Sequence, residues 1–139
     1  NNFLAALYKV NDDNIYALSY TDITTGEFKA CKGELNMIIS ELARISPSEI
    51  IAPPKAQKIL PFQIVPEEVI DLPEEITNFY ICSKVNKEFF NETLSNNVLL
   101  KLFGVQSLES VCKDPKHQGL VCAGAIARYI FEIAAVMSM

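Results

Sequence analysis

Residues 3–31 read FLAALYKVNDDNIYALSYTDITTGEFKAC, and the order of apolar runs and turns in this stretch decides the fold. Residues 3–10 are a short apolar and aromatic run of strand length. The polar cluster Asn11-Asp12-Asp13-Asn14 follows, and side chains of this kind favour turns. Residues 15–23 form a second strand rich in Tyr and β-branched residues. Thr24-Thr25-Gly26 turns tightly, and residues 27–31 return as a third strand. The opening is an antiparallel meander.

The period then changes. Leu35, Ile38, Ile39, Leu42 and Ile45 recur at helical spacing and make one apolar stripe, with Glu34, Glu41 and Arg44 away from it. Pro47 ends this helix. Residues 48–52 read as a short buried strand closed by Pro53-Pro54. A strand–helix–strand passage of this length predicts a right-handed crossover, with the new strand joining the same sheet.

Residues 53–78 are the least regular, with five prolines and the acidic group Glu67, Glu68, Asp71, Glu74 and Glu75. A short helix near 55–60 and a strand at 64–70 or 79–82 are expected there. Residues 86–103 read as one helix with Phe89, Phe90, Leu94, Val98, Leu102 and Phe103 toward the core. Gly104 stands where a left-handed cap belongs, and a short helix covers 108–112. The last helix starts near Gln118. Arg128 and Glu132 fall near its middle, where an i,i+4 pair suits a solvent face and would penalise a membrane span. Gly124 and the alanines around it suit close packing.

With 139 residues, half of them hydrophobic, the chain is expected to form one domain over 1–139 with a real core. The formal charge is −5, and the basic residues are scattered singly. Binding to DNA phosphates draws on clustered basic residues that release counterions, so direct nucleic-acid contact is disfavoured. Cys31, Cys82, Cys112 and Cys122 contain no C-x-x-C pair, and no signal peptide precedes them, so reduced thiols in a cytoplasm are expected. The chain opens on a strand without Met and closes on a helical apolar run, as a piece of a longer polypeptide would.

Cys112, His117 and Cys122 have the spacing of half a zinc knuckle. A structural zinc wants four ligands, and no C-x-x-C precedes this half. Cys122 lies in an apolar helix, where a free Cys is an ordinary small hydrophobe. His117 is the only histidine, which leaves little room for hydrolase triads. The five glycines are isolated, so no phosphate loop or dinucleotide fingerprint exists. No cofactor or metal site is expected.

The predicted element order is that of an RNase H-like α/β fold: a mixed central sheet with an antiparallel meander, flanked by helices. Nucleases of that fold hold two metal ions on carboxylates of the first strand, the first helix and the end of the fourth strand. Neither strand supplies one here. Glu41 would stand alone on the helix, and Asp22 better suits a hairpin cap.

Asn2-Phe3-Leu4-Ala5-Ala6-Leu7 and Asp22-Ile23-Thr24-Thr25-Gly26-Glu27-Phe28 resemble the opening of the connector domain (domain II) of bacterial MutS mismatch repair proteins. The likeness continues in family order through residues 41–50, 103–109 and 123–130, and fades in 53–78. It implies a non-catalytic connector that relays mismatch and nucleotide state and docks MutL. It also implies a cytoplasmic, homodimeric parent whose other domains bind DNA, ATP and Mg. Asn96-Asn97 and Lys101, polar on an otherwise apolar helix, are the candidate MutL-facing residues. The alternative is an RNase H-like nuclease or resolvase with displaced carboxylates at Asp22, Glu27 and Glu41. A third reading is a stand-alone acidic interaction domain.

Overall fold

The structure, a computed structural model, describes residues 2–11, 14–56, 68–114 and 116–137. Its first three strands, β1 (Phe3–Lys9), β2 (Ile15–Asp22) and β3 (Phe28–Glu34), pair antiparallel as the meander predicts, with Leu7 opposite Leu18 and Leu18 opposite Cys31. The β2–β3 turn is held by Asp22, whose Oδ1 accepts the Thr24 N–H at 2.9 Å. Gly26 sits at φ +74°, a conformation that a side chain would strain. Asp22 is thus the hairpin cap expected of it.

β3 is longer than the expected 27–31 and runs directly into α1 (Leu35–Ile45). Ile38, Leu42 and Ile45 of the predicted stripe are buried, with Leu35 and Ile39 packed beside them. Ser46 takes a left-handed conformation and Pro47 follows, which stops the helix. The chain then enters β4 (Glu49–Ala52), parallel to β1, and β5 (Cys82–Lys84) lies parallel beyond it. The sheet order is β3-β2-β1-β4-β5, an α/β architecture with a mixed sheet.

The Pro-rich segment departs from expectation where it is described. Lys55 and Ala56 are not helical, and the rest of the expected helix lies outside the described residues. Most of the expected strand at 64–70 lies outside them too; Ile70 makes only an isolated bridge to Pro54. The alternative strand at 79–82 is shifted later, since pairing to β4 begins at Cys82. One turn of helix, α2 (Glu74–Thr77), follows Pro73, which stands at its N-cap in an extended conformation, and buries Ile76.

Residues 86–103 are two elements, not one. A 3-10 turn (Lys87–Phe90) breaks at Asn91, whose side chain accepts the Leu94 N–H at 3.0 Å and caps α3 (Glu92–Phe103). Asn at an N-cap competes with the preceding helix for that N–H, which splits the run. The buried face of α3 is also not the predicted one: Ser95 and Leu99 are buried, whereas Leu94, Leu102 and Phe103 are exposed. Gly104 is the left-handed cap, at φ +65°. A second 3-10 turn (Leu108–Ser110) leads to α4 (Gly119–Met137). No described helix is long and apolar enough to cross a membrane.

α1 and α2 cover one face of the sheet through Ala5, Leu7, Leu18, Ile50 and their neighbours. α4 covers the other, with Cys122, Ala125 and Ile126 against Leu4, Ala6, Ala17 and Ile51. α3 packs outside α4 at one close point. A Cβ on Gly124 would stand 2.5 Å from the Ser95 Cα, so only glycine admits this approach. The Ser95 hydroxyl is satisfied there, donating to the Val121 carbonyl at 2.9 Å. The expected Arg128–Glu132 pair forms at 3.3 Å, and Arg128 also stacks on Phe89, 4.3 Å from the ring centre.

Candidate functional site

The outer layer of the molecule is α3, capped at its N-terminus by Asn91 and at its C-terminus by Gly104, with Ser95 against Gly124 in its first turn and Leu99 buried further along. A helix so held presents its solvent side rigidly. On that side Asn97 and Lys101, one turn apart, line a shallow hollow with Val98, Leu100, Gly104 and Val105. Both are exposed, and among the described residues Lys101 is in no ion pair. A free cation in the last turn of a helix also complements the helix dipole.

Asn96 is separated from this pair. It is half-buried and lines a polar cavity of about 240 Å³ with Tyr8, Glu92, Lys116, His117 and Gln118. Burial pushes the Tyr8 hydroxyl up to about 12, with Cys122 and Glu92 adding to the shift, so it stays protonated and a donor at neutral pH. The structure therefore brings two of the three candidate residues together and turns the third toward the start of α4.

The Cys112, His117 and Cys122 spacing does not assemble. The Cys122 thiol is buried and donates to the Ala17 carbonyl at 3.3 Å, and burial raises it well above the ordinary thiol range. The Cys112 thiol donates to the Leu108 carbonyl, and His117 Nδ1 accepts the Gly119 N–H at 2.8 Å. Each group is engaged with a different backbone partner.

The three carboxylates of the nuclease alternative also have separate duties. Asp22 caps its turn, Glu27 pairs with Lys29 at 2.9 Å, and Glu41 accepts from Tyr20 at 2.7 Å while pairing with Arg44. Glu41 is therefore not simply turned to solvent, as the stripe on α1 suggests. Its hydrogen bonds from Arg44 and Tyr20 hold its carboxyl below the usual range. Among the described residues, no group of three or more His, Cys, Asp or Glu is placed to hold a metal ion.

One polar junction had no signal in the sequence. Glu49 Oε2 accepts from Tyr129 at 2.8 Å and from Ser83 at 2.5 Å, tying α4 to β4 and β5. Its members lie 80 and 34 residues apart, so no local motif could show it. The burial of Ser95 and Leu99 was missed for a nearer reason: both lie one position beyond the expected stripe.

The sequence pattern described as MutS domain II matches residues 2–135, nearly the whole architecture above. The chain belongs to the MutS domain II family. Among its relatives, the DNA mismatch repair protein MutS of Trichodesmium erythraeum is 36% identical over 134 residues, 95% of this chain and 14% of that protein. MutS of Synechocystis is 31% identical over 131 residues, covering 94% of this chain and 15% of that protein. MutS of Dehalococcoides mccartyi is 30% identical over 132 residues, again 95% and 14%. This MutS domain II thus spans about one-seventh of the length of these three relatives, each a DNA mismatch repair protein.

Proposed function

We propose that this MutS domain II is a non-catalytic connector with an RNase H-like fold, relaying mismatch and nucleotide state within a longer repair protein and docking MutL. The family match over residues 2–135 carries this reading. The sheet supports the fold assignment: an antiparallel β3-β2-β1 ribbon with β4 and β5 parallel beside β1 is the order expected of an RNase H-like core. The engaged carboxylates support the absence of catalysis. ATP, Mg and DNA then belong to other domains of a cytoplasmic, homodimeric parent. That fits a domain of charge −5 whose isolated glycines offer no phosphate cradle.

MutL docks in this reading on the outer side of α3, through Asn97 and Lys101, with Asn96 at its margin. A charged residue at a polar rim governs association rate and its salt dependence more than the depth of the bound state. In the full-length protein, Lys101→Glu should weaken MutL binding about three- to tenfold, mostly through slower association. Unchanged affinity removes Lys101 from the surface. A separate assay addresses catalysis. DNA or RNA incubated with this chain and Mg or Mn should remain intact, and cleavage abolished by Asp22→Asn or Glu41→Gln would establish the nuclease instead.

A further inference from the structure

The start of α4 lies in a tight place on the sheet. Gly119, its first residue, is buried, and a Cβ there would stand 2.6 Å from the Ala30 Cβ of β3. Gln118, just before it, accepts from the Lys32 ammonium of β3 at 3.0 Å. A helix start leaves its first N–H groups without partners inside the helix. Here Leu120 and Val121 donate to the carbonyls of His117 and Gln118. The Gly119 N–H is met by a side chain instead, His117 Nδ1 at 2.8 Å. An imidazole thus takes the place that Ser, Asn or Asp usually holds.

An imidazole differs from those caps in one respect. Its ring nitrogen accepts a hydrogen bond only while it is unprotonated, and with Nδ1 accepting, the neutral ring carries its proton on Nε2. Protonation turns Nδ1 into a second donor, so that donor faces donor across 2.8 Å. The positive ring also meets the positive end of the helix dipole. Imidazole is the side chain that ordinarily changes charge between about pH 5 and 8, and His117 is the only histidine of the chain. The groups around it are of both signs. Tyr8 of β1, Glu92 of α3 and Lys116 share its cavity of about 240 Å³, with Asp114 in the turn before it and Lys32 at Gln118. Two carboxylates stand against two ammonium groups, and Tyr8 is uncharged in this range. The lost acceptor, not the net field, therefore decides the outcome.

We propose that His117 is a protonation-sensitive latch on the start of α4. With a neutral ring it ties Gly119 down against β3; once protonated, it lets the first turn go. Release loosens the Lys32–Gln118 contact and opens the cavity that Asn96 lines. The rest of α4 stays packed on the sheet through Cys122, Ala125 and Ile126. The latch belongs to this chain's own residues and depends neither on MutL docking nor on the connector role.

Hydrogen exchange read by mass spectrometry on the full-length protein tests it, at about pH 8 and about pH 5.5, with labelling times scaled to the intrinsic rates. Peptides covering residues 117–123 report on the latch, and peptides covering residues 38–45 of α1 are the control. In the unaltered protein the latch peptides should open about fivefold more at the lower pH, the weight of one helix cap, with the control unchanged. His117→Asn keeps an acceptor that does not titrate and should stay closed at both pH values. His117→Ala keeps none and should be open at both. Four results would overturn the proposal. They are no acid response in the unaltered protein, an equal response in the α1 peptides, a response that persists in His117→Ala, or a His117→Ala latch region as closed as the unaltered one at the higher pH.

Discussion

On the side of the sheet that α1 covers, β2 presents Tyr16, Leu18 and Tyr20; on the side that α4 covers, the same strand presents Ala17, Ser19 and Thr21. Six consecutive residues thus alternate large and small, and the two faces are filled in opposite ways. Bulky side chains hold α1 at a distance and interdigitate with Ile38, Leu42 and Ile45. Small ones let α4 lie close to the sheet, so that its own Ala125 and Cys122 suffice to fill the gap. The hydroxyls of Ser19 and Thr21 do not disturb this dry face, because each donates to a carbonyl of the neighbouring β3 side, Lys29 and Glu27, at 2.8 Å. One face is sensitive to lost volume and the other to added volume.

Truncation on the α1 face should have the largest effect. Leu42 is fully buried in the cluster formed with Leu18 and Ile50, so Leu42→Ala removes packed volume that nothing nearby can replace. A loss of about 2–5 kcal/mol in urea unfolding is expected. A loss below about 1 kcal/mol would mean that this face collapses around the gap and that the contrast is overstated.

Addition on the α4 side should come next. Gly124→Ala places a Cβ 2.4 Å from the Ser95 Cβ and 2.5 Å from its Cα, and backbone cannot yield as a side-chain tip can. The expected cost is about 1–3 kcal/mol, by forced separation of α3 and α4. Ser95→Gly removes two of the three crowding atoms, Cβ and Oγ, and leaves only the Cα. The double variant should therefore lose less stability than the two single changes added together, a coupling that a double-mutant cycle measures. Strict additivity would show that the two helices do not meet at this point.

The sequence showed those parts of the fold whose signals are local. The turn chemistry at Asp22 and Gly26, the stripe on α1, the stop at Pro47 and the cap at Gly104 all act within a few residues, and each stands where expected. The failures have non-local causes. Residues 86–103 hold enough apolar residues for one long helix, yet Asn91 caps a new one, and Ser95 rather than Leu94 goes inside because Gly124 meets it there. A buried serine is invisible without its partner, 29 positions away. The candidate surface was half legible for the same reason. Polarity on an apolar helix picked out Asn97 and Lys101 correctly as exposed, but which side Asn96 faces depends on where α4 begins.

The smallest effect should appear only in alkali, and it also divides the faces. Tyr20 on the α1 side and Tyr8 beside α4 both have hydroxyls pushed up to about 12, from an ordinary value of 10.0. Burial is the first cause for each; Tyr20 adds its hydrogen bond to Glu41, and Tyr8 the charges of Cys122 and Glu92. Between pH 10 and 12 the unfolded chain has lost these protons while the folded one keeps them. The unfolded state then binds fewer protons, and stability falls as pH rises through that window, being fully present below it. Tyr20→Phe should flatten this fall while leaving the remainder due to Tyr8, Tyr16 and Tyr129, whose hydroxyls burial also raises. It should act at the acid side as well. Glu41 is held below its usual range partly by Tyr20, so its contribution is present at neutral pH and is lost as pH falls through the lowered value. The variant weakens that contribution, and with an exposed Arg44 as the other partner the change should stay small. Urea unfolding of both proteins from pH 4 to 12 checks the two arms together. An alkaline slope unchanged in Tyr20→Phe would take Tyr20 out of the effect and leave it to the other raised tyrosines.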